Sequence, residues 1–343
     1  MAGTTPGPRG YIRIDSAWTS ADFRGAVRCR LSAFRMRYSV PAGLYALGRP
    51  GPDSPVIVTA NYKLTFDVLR KDLARTDCWI LVLETRGINV WCASAGGTLD
   101  TEQLVEEVGK ARLSEVVRHR VLTVPQLCAQ GVSAHLVQEQ TGFYVRFGPV
   151  RSSDLPAYLA EGRASPSMRR VTFATRDRLV LIPMELGRSL KLFLVFAFAA
   201  ILYAGLAPGG VLLQRAWIGA LPLLGLGLGA CFSGSLLVPL LLPILPGRAF
   251  ATKGWLVGAA VNGALLHGAG LAGGMDRFLI AACWLFFPAA ASCLALSFTG
   301  ATTFTSPSGV RQEVRIALPL LAAALVLTAV ALALSKVATW ASR

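Results

Sequence analysis

Cys92 is the residue best placed to do chemistry. It follows the strand-like run Trp79–Leu83, the turn at Gly87 and the triplet Asn89-Val90-Trp91, at the point where the chain passes from strand to helix. After it come only Ala93, Ser94, Ala95, Gly96 and Gly97. A thiol at such a junction has two readings. It is either a buried structural cysteine, which behaves as a small hydrophobe, or a thiolate beneath something broad and flat that the small residues let approach the backbone. A macrocycle fits the second description. A catalytic nucleophile fits poorly, because no His or Asp lies near Cys92 in sequence; His119 and His135 are elsewhere. The other cysteines are Cys29, Cys78, Cys128, Cys231, Cys283 and Cys293, and no C-x-x-C occurs, so a zinc site or iron–sulfur cluster lacks its usual ligand run.

Four short apolar runs alternate with helical stretches and would position that thiol. They are PVIVTAN, WILVLET, RVLTVP and FYVRFG, separated by helices predicted at Leu64–Leu73, at Thr101–Arg112 with Asp100 as N-cap, and around His135–Gln140, with a last one at Ser153–Leu159. This alternation predicts a small, mostly parallel α/β sheet with Rossmann-like winding. Ligands bind outside the carboxyl ends of such strands. Asn61, Cys92 and Pro125 each fall just beyond a strand end, so the three mark one place.

The chain has 343 residues, 53% of them hydrophobic, and a mean hydropathy of +0.52, which points to a membrane protein. Residues 192–343 carry eight basic and two acidic side chains; the other 26 Lys/Arg and 17 Asp/Glu lie in 1–191. The predicted organisation is a basic, irregular N-terminal arm (1–50), an α/β domain (51–165), a basic juxtamembrane connector (166–191) and a transmembrane domain (192–343). Five membrane helices are expected at 192–207, 216–245, 255–273, 277–298 and 314–335. The second is long and holds Pro222, Pro239 and Pro243, so it is kinked or two segments. Gly225/Gly229, Gly254/Gly258 and Gly270/Gly274 suit close helix packing, Asn262 and His267 suit interhelical hydrogen bonds, and Trp217, Trp255 and Trp340 suit interface anchors. Arg169, Arg170, Arg176, Arg178, Arg188 and Lys191 crowd the entry to the first span, and the N-terminus has no apolar secretory core. Both features predict an inner-membrane protein whose α/β domain faces the cytoplasm, with Arg248/Lys253 and Arg311/Arg315 on the same side and Arg215, Arg277 and Lys336 outside. The net charge of +15 invites a nucleic-acid reading, but no basic stripe interleaved with aromatics exists to carry it.

Asn89-Val90-Trp91-Cys92-Ala93 resembles the cap-helix signature of the mercury-methylating corrinoid protein family, HgcA. That family is in turn related to the corrinoid domain of the acetyl-CoA pathway's corrinoid iron–sulfur protein. The likeness extends over Pro41–Asp67, VLETRGINVWCA, Leu113–Leu127, FGPVRSSDLPAYL and MRRVTFATRDRLVLIPMEL, and to Trp18, Thr19 and Asp22. It implies an α/β corrinoid-binding domain followed by about five membrane helices. The implied cofactor is cobalamin, with Cys92 bound to cobalt on the lower face and the cofactor's own base displaced. The implied function is transfer of a methyl group from Cys-ligated methylcobalamin to Hg(II). Thr59, Asn61, Tyr62, Asn89, Val90, Trp91, Ala93, Pro125 and Gln126 are the residues it places against the corrin. It further implies a methyltetrahydrofolate-type methyl donor and a ferredoxin with two 4Fe–4S clusters as electron donor. The family pattern has lysine where this chain has Gly96. That departure keeps two alternatives open: a membrane-bound methyl carrier of acetyl-CoA-pathway type without mercury activity, and a transporter or binding protein with a sensory α/β domain.

Overall fold

VIVTA and CWILVL are apolar throughout rather than at alternate positions, the pattern of strands covered on both faces. The computed structural model describes residues 5–6, 10–211, 216–299 and 307–341, and the chain divides into two units, Met1–Thr172 and Phe173–Arg343. In the first unit seven strands form one sheet: β1 (Thr5–Pro6), β2 (Ile12–Ile14), β3 (Gly43–Leu47), β4 (Val56–Ala60), β5 (Cys78–Leu83), β6 (Val121–Val124) and β7 (Tyr144–Phe147). Their order is β1-β2-β3-β5-β4-β6-β7; β5, β4, β6 and β7 run parallel, and β3 lies antiparallel to β5. The helices are α1 (Ser20–Leu31), α2 (Lys63–Asp72), α3 (Val90–Ala95), α4 (Thr101–Lys110), α5 (Leu113–Val116), α6 (Ala134–Thr141) and α7 (Leu155–Glu161).

Both faces of the central strands are buried. Ile57, Ile80 and Val82 pack against Phe66, Leu69 and Leu73 of α2 and Leu155 and Tyr158 of α7. Val56, Val58, Leu81 and Leu83 pack on the other face against Leu104 and Val108 of α4 and Val137 of α6. The chain leaves β4 for β5 on one side, then returns to add β6 and β7 on the other. The order therefore reverses at β4, and in open α/β sheets such a reversal opens a crevice at the carboxyl ends of the strands.

Residues 1–50 are not the irregular arm expected. They supply α1, a 3-10 turn (Ala33–Arg37) and β3, which pairs with β5 inside the sheet. What organises them is a buried charge cluster. Thr19 and Asp22 form a capping box at the start of α1. Asp22 then pairs with Lys63 (2.6 Å) and Arg70 (2.7 Å), and Asp67 pairs with the same two cations. Arg70 also donates to the carbonyls of Asp15 and Ala17, and the Trp18 indole donates to the carbonyl of Asp67. Two carboxylates and two cations, each hydrogen-bonded, offset the desolvation that an isolated buried charge would incur. No hydrophobic periodicity announces this clamp, because its partners lie over 40 residues apart.

Among the described residues of the second unit four helices are long and apolar enough to cross a membrane: Thr175–Gly205, Ala216–Leu241, Arg277–Ser297 and Ser308–Ala341. The fifth expected span, 255–273, is instead Phe250–Gly263 continued by a π turn, Ala264–Gly268, and is not among the four; Lys253, Asn262 and His267 lower its apolar character. The first span begins at Thr175, so most of the expected connector is helix. Its Arg178 is buried and donates to the carbonyls of Pro239 and Leu240. The expected 216–245 segment is one helix through a π stretch, Ser233–Leu237, and ends before Pro243. Gly254 and Gly258 sit where a Cβ would strike the 277–297 helix, within 2.8 Å of atoms of Ser292 and Ala291, so they permit the close packing expected. Gly270 and Gly274 do not pack; they turn the chain at positive φ. Asn262 is buried with neither side-chain atom hydrogen-bonded, and His267 stacks on Trp284, so the expected interhelical hydrogen bonds are not formed. Arg215 lies outside the described residues.

Burial raises the pKa of Asp22, but the Lys63 and Thr19 hydrogen bonds outweigh it and hold the carboxyl well below the usual range. A carboxylate with a depressed folded-state pKa contributes stability above its unfolded value of about 4 and loses that contribution as pH falls further. Asp22→Asn should therefore cost about 3–5 kcal/mol at neutral pH. It should also flatten the acid limb of the stability profile, measured by thermal unfolding of the solubilised chain.

Candidate functional site

The carboxyl ends of β4, β5, β6 and β7 converge on a pocket of about 380 Å3. Thr59 closes β4 and is buried; Tyr62 follows it and is buried in the pocket wall. Burial, reinforced by a hydrogen bond with Cys29, pushes the Tyr62 phenol up, so it remains protonated. Pro125 caps β6, and Asn89, Val90 and Trp91 enter from the segment after β5. Six of the residues expected around a ligand thus line one pocket.

Asn61, Cys92, Ala93 and Gln126 are not among the lining residues. Asn61 is buried, its amide donates to Glu84 Oε1 (2.8 Å), and its Oδ1 accepts from Thr85 N, Thr85 Oγ1 and Gly87 N. Its side chain fastens the loop after β5 instead of reaching a ligand. Ala93 is fully buried in the core beneath α3. Gln126 starts a 3-10 turn beside Pro125, and its Oε1 is buried without a hydrogen-bond partner. Sequence reasoning missed the far wall: Thr65 and Val68 of α2, and Gly148, Pro149 and Val150 after β7. The rule that singled out the ends of the first three strands, applied to the fourth, would have found Gly148.

Cys92 occupies the first turns of α3. Asn89 is the N-cap and accepts from the Cys92 backbone N–H at 2.9 Å. The helix is seated from below by Val90 and Ala93, whose carbonyl accepts from Thr98 and Leu99. The Cys92 side chain is left exposed, without a hydrogen-bond partner among the described residues. This overturns the reading of Cys92 as a buried structural cysteine. The other cysteines of the first unit, Cys29, Cys78 and Cys128, are buried, and burial pushes the Cys78 and Cys128 thiols up to about 12. They are packed thiols, not ligands. Gly96 is the exposed C-cap of α3 at φ −94°, a conformation open to other residues, although a Cβ there would lie 3.0 Å from the Cys92 carbonyl.

These residues fit a corrinoid. The site offers an exposed soft thiol, an apolar pocket beside it, and an orphaned acceptor on Gln126 that the amide-bearing rim of a corrin could satisfy. Among the described residues no cluster of three or more His, Cys, Asp or Glu is placed to hold a metal ion.

The family described as CO dehydrogenase/acetyl-CoA synthase delta subunit matches residues 34–159. Among curated proteins, the gamma subunit of the acetyl-CoA decarbonylase/synthase complex of Methanopyrus kandleri is 37% identical over 134 residues, 38% of this chain and 29% of that protein. The gamma subunit of Archaeoglobus fulgidus is 35% identical over 127 residues, 36% of this chain and 27% of that protein. That of Methanocaldococcus jannaschii is 33% identical over 137 residues, with coverages of 38% and 27%. The chain thus spans less than a third of the curated relatives it matches, and these matches concern the acetyl-CoA-pathway side of the resemblance, not the mercury-methylating side.

The geometry predicts selective labelling. A membrane-impermeant maleimide applied to the native solubilised chain should modify Cys92 rapidly, while Cys29, Cys78 and Cys128 should react only after denaturation, as peptide mass mapping would show.

Proposed function

We propose that the chain is a membrane-tethered corrinoid methyl-transfer protein in which Cys92 is the protein ligand to cobalt. The observation that carries this is the exposed Cys92 thiol on α3, directly after Asn89, Val90 and Trp91, which line a pocket formed where the sheet order reverses. The chemistry a bound cobalamin supplies is uptake and release of a methyl group at cobalt. Cys92 would place a soft, electron-donating sulfur beneath the metal. Asn89 holds the turn that carries Cys92, and Thr59, Tyr62, Val90, Trp91 and Pro125 would hold the cofactor through the pocket they line. Gln126 would accept a hydrogen bond from the corrin rim.

The methyl acceptor follows from the ligand. An electron-donating thiolate from Cys92 would make the bound cofactor a better methyl donor to a soft electrophile. Hg(II) is such an acceptor, and methylmercury would be the product. A second reading is favoured by the relatives: a methyl carrier of acetyl-CoA-pathway type that serves another acceptor. Both readings require a methyl donor, proposed as methyltetrahydrofolate-type. Both also require a low-potential electron donor, proposed as a ferredoxin with two 4Fe–4S clusters, because the sequence has no cluster motif of its own. The four apolar helices support a membrane location, and the arginines before the first span support an inner-membrane protein with the α/β unit in the cytoplasm.

Methyl transfer by the cobalamin-loaded chain to Hg(II) and to a thiol acceptor separates these readings. Cys92→Ala should fold, losing about 1–3 kcal/mol at most, and should lose nearly all transfer to Hg(II). Cys92→Thr should retain transfer to the thiol while remaining poor with mercury. Failure of the wild-type chain to methylate Hg(II), with thiol transfer intact, would leave the carrier reading and discard the mercury one.

A further inference from the structure

The outer face of α1 is apolar and uncovered. Phe23, Val27 and Leu31 stand four residues apart, so they align on one side of the helix. They are 63%, 40% and 54% exposed, and Met36 in the following 3-10 turn is 68% exposed. The inner face is made of Asp22, Gly25, Ala26 and Cys29, and a Cβ on Gly25 would strike the Tyr38 hydroxyl, so the helix lies flat on that side. Contiguous exposed apolar surface of this kind marks an interaction site more often than chance.

The margin of this face is basic. Arg24, Arg28 and Arg37 are exposed, and the Arg28 guanidinium lies 4.4 Å over the Phe34 ring. Neither Arg24 nor Arg37 has an ion-pair partner among the described residues, while the helix's one carboxylate, Asp22, is turned inward onto Lys63 and Arg70. An apolar stripe flanked by arginines is the pattern of a helix lying in a membrane interface, with the apolar side chains at the acyl boundary and the guanidinium groups at the phosphates. Among its described residues the same chain carries four helices long and apolar enough to cross a bilayer.

We propose that α1 docks on an anionic phospholipid surface through Phe23, Val27, Leu31 and Met36, with Arg24, Arg28 and Arg37 on the headgroups. Arg30 of the same helix reaches the lining of the pocket beside Cys92, so docking would hold the ligand site at the bilayer surface. The dock rests on the α1 surface alone and stands whether or not the pocket takes a corrinoid.

The test uses the full chain in nanodiscs, one copy per disc, with a photoreactive benzophenone amino acid in place of Phe23. The discs contain either phosphatidylcholine alone or phosphatidylcholine with phosphatidylglycerol. Illumination should give lipid adducts several-fold more abundantly in the anionic discs than in the neutral ones. It should also exceed the yield from the same probe at Glu139, an exposed position on α6. Arg24→Glu with Arg28→Glu should lower the Phe23 yield to the Glu139 level. Equal yields in the two lipids, a Phe23 yield no higher than that at Glu139, or adducts chiefly to a second copy of the chain would each overturn the proposal.

Discussion

The side chain of Asn61 makes four hydrogen bonds, all to the loop between β5 and α3. Asn61 directly follows β4, the neighbour of β5 and the strand at which the sheet reverses, which brings its side chain to that loop. The loop passes through Arg86 and Gly87 at positive φ, a conformation that needs such fastening when the residue is not glycine. Once the loop is set, Asn89 caps α3, Ala93 seats it, and Cys92 points outward beside the pocket. The thiol owes its exposure to a buried amide 31 positions earlier in the chain. Removing that amide would leave buried N–H groups unsatisfied, at about 1–3 kcal/mol each, and would free the segment that carries the ligand.

The parallel core was legible because its strands are continuous apolar runs and its helices carry recognisable caps; Asp100 accepts from the Gln103 N–H as its position suggested. The place of the site was legible for the same reason, since strand ends can be read from where apolar runs stop. The roles at the site were harder to read. Asn61 looked like a ligand contact because a polar residue at a strand end serves either a ligand or a loop, and only three-dimensional neighbours separate the two. Ala93 looked like part of the bed for the ring by virtue of its neighbour, yet a helix turns its residues to different sides and this one faces the core. The N-terminal segment was misread because its order comes from ion pairs between distant residues, which leave no periodic trace.

The two units place different demands on the same chain. In Met1–Thr172 buried charges are paired with one another, as Asp22, Lys63, Asp67 and Arg70 are. In Phe173–Arg343 they are satisfied mainly by backbone carbonyls: Arg178 on Pro239 and Leu240, and Lys253 on Leu242. Carbonyls near Pro239 and Pro243 are released where proline cannot continue the helical ladder, which supplies acceptors to those cations. The helix near the expected 255–273 span is less apolar than the four for a related reason, because Lys253, Asn262 and His267 all fall within Phe250–Gly268. Its small residues pack it against the 277–297 helix.

The claim on which the functional account turns is that the Cys92 sulfur binds the cobalt of a corrinoid. Cobalt K-edge X-ray absorption of the purified chain loaded with cobalamin measures this directly. The account predicts a cobalt–sulfur scattering shell in the wild-type protein that disappears in Cys92→Ala while the corrinoid remains bound. A spectrum with only nitrogen and oxygen neighbours in the wild type, or a sulfur shell that survives in Cys92→Ala, would contradict it.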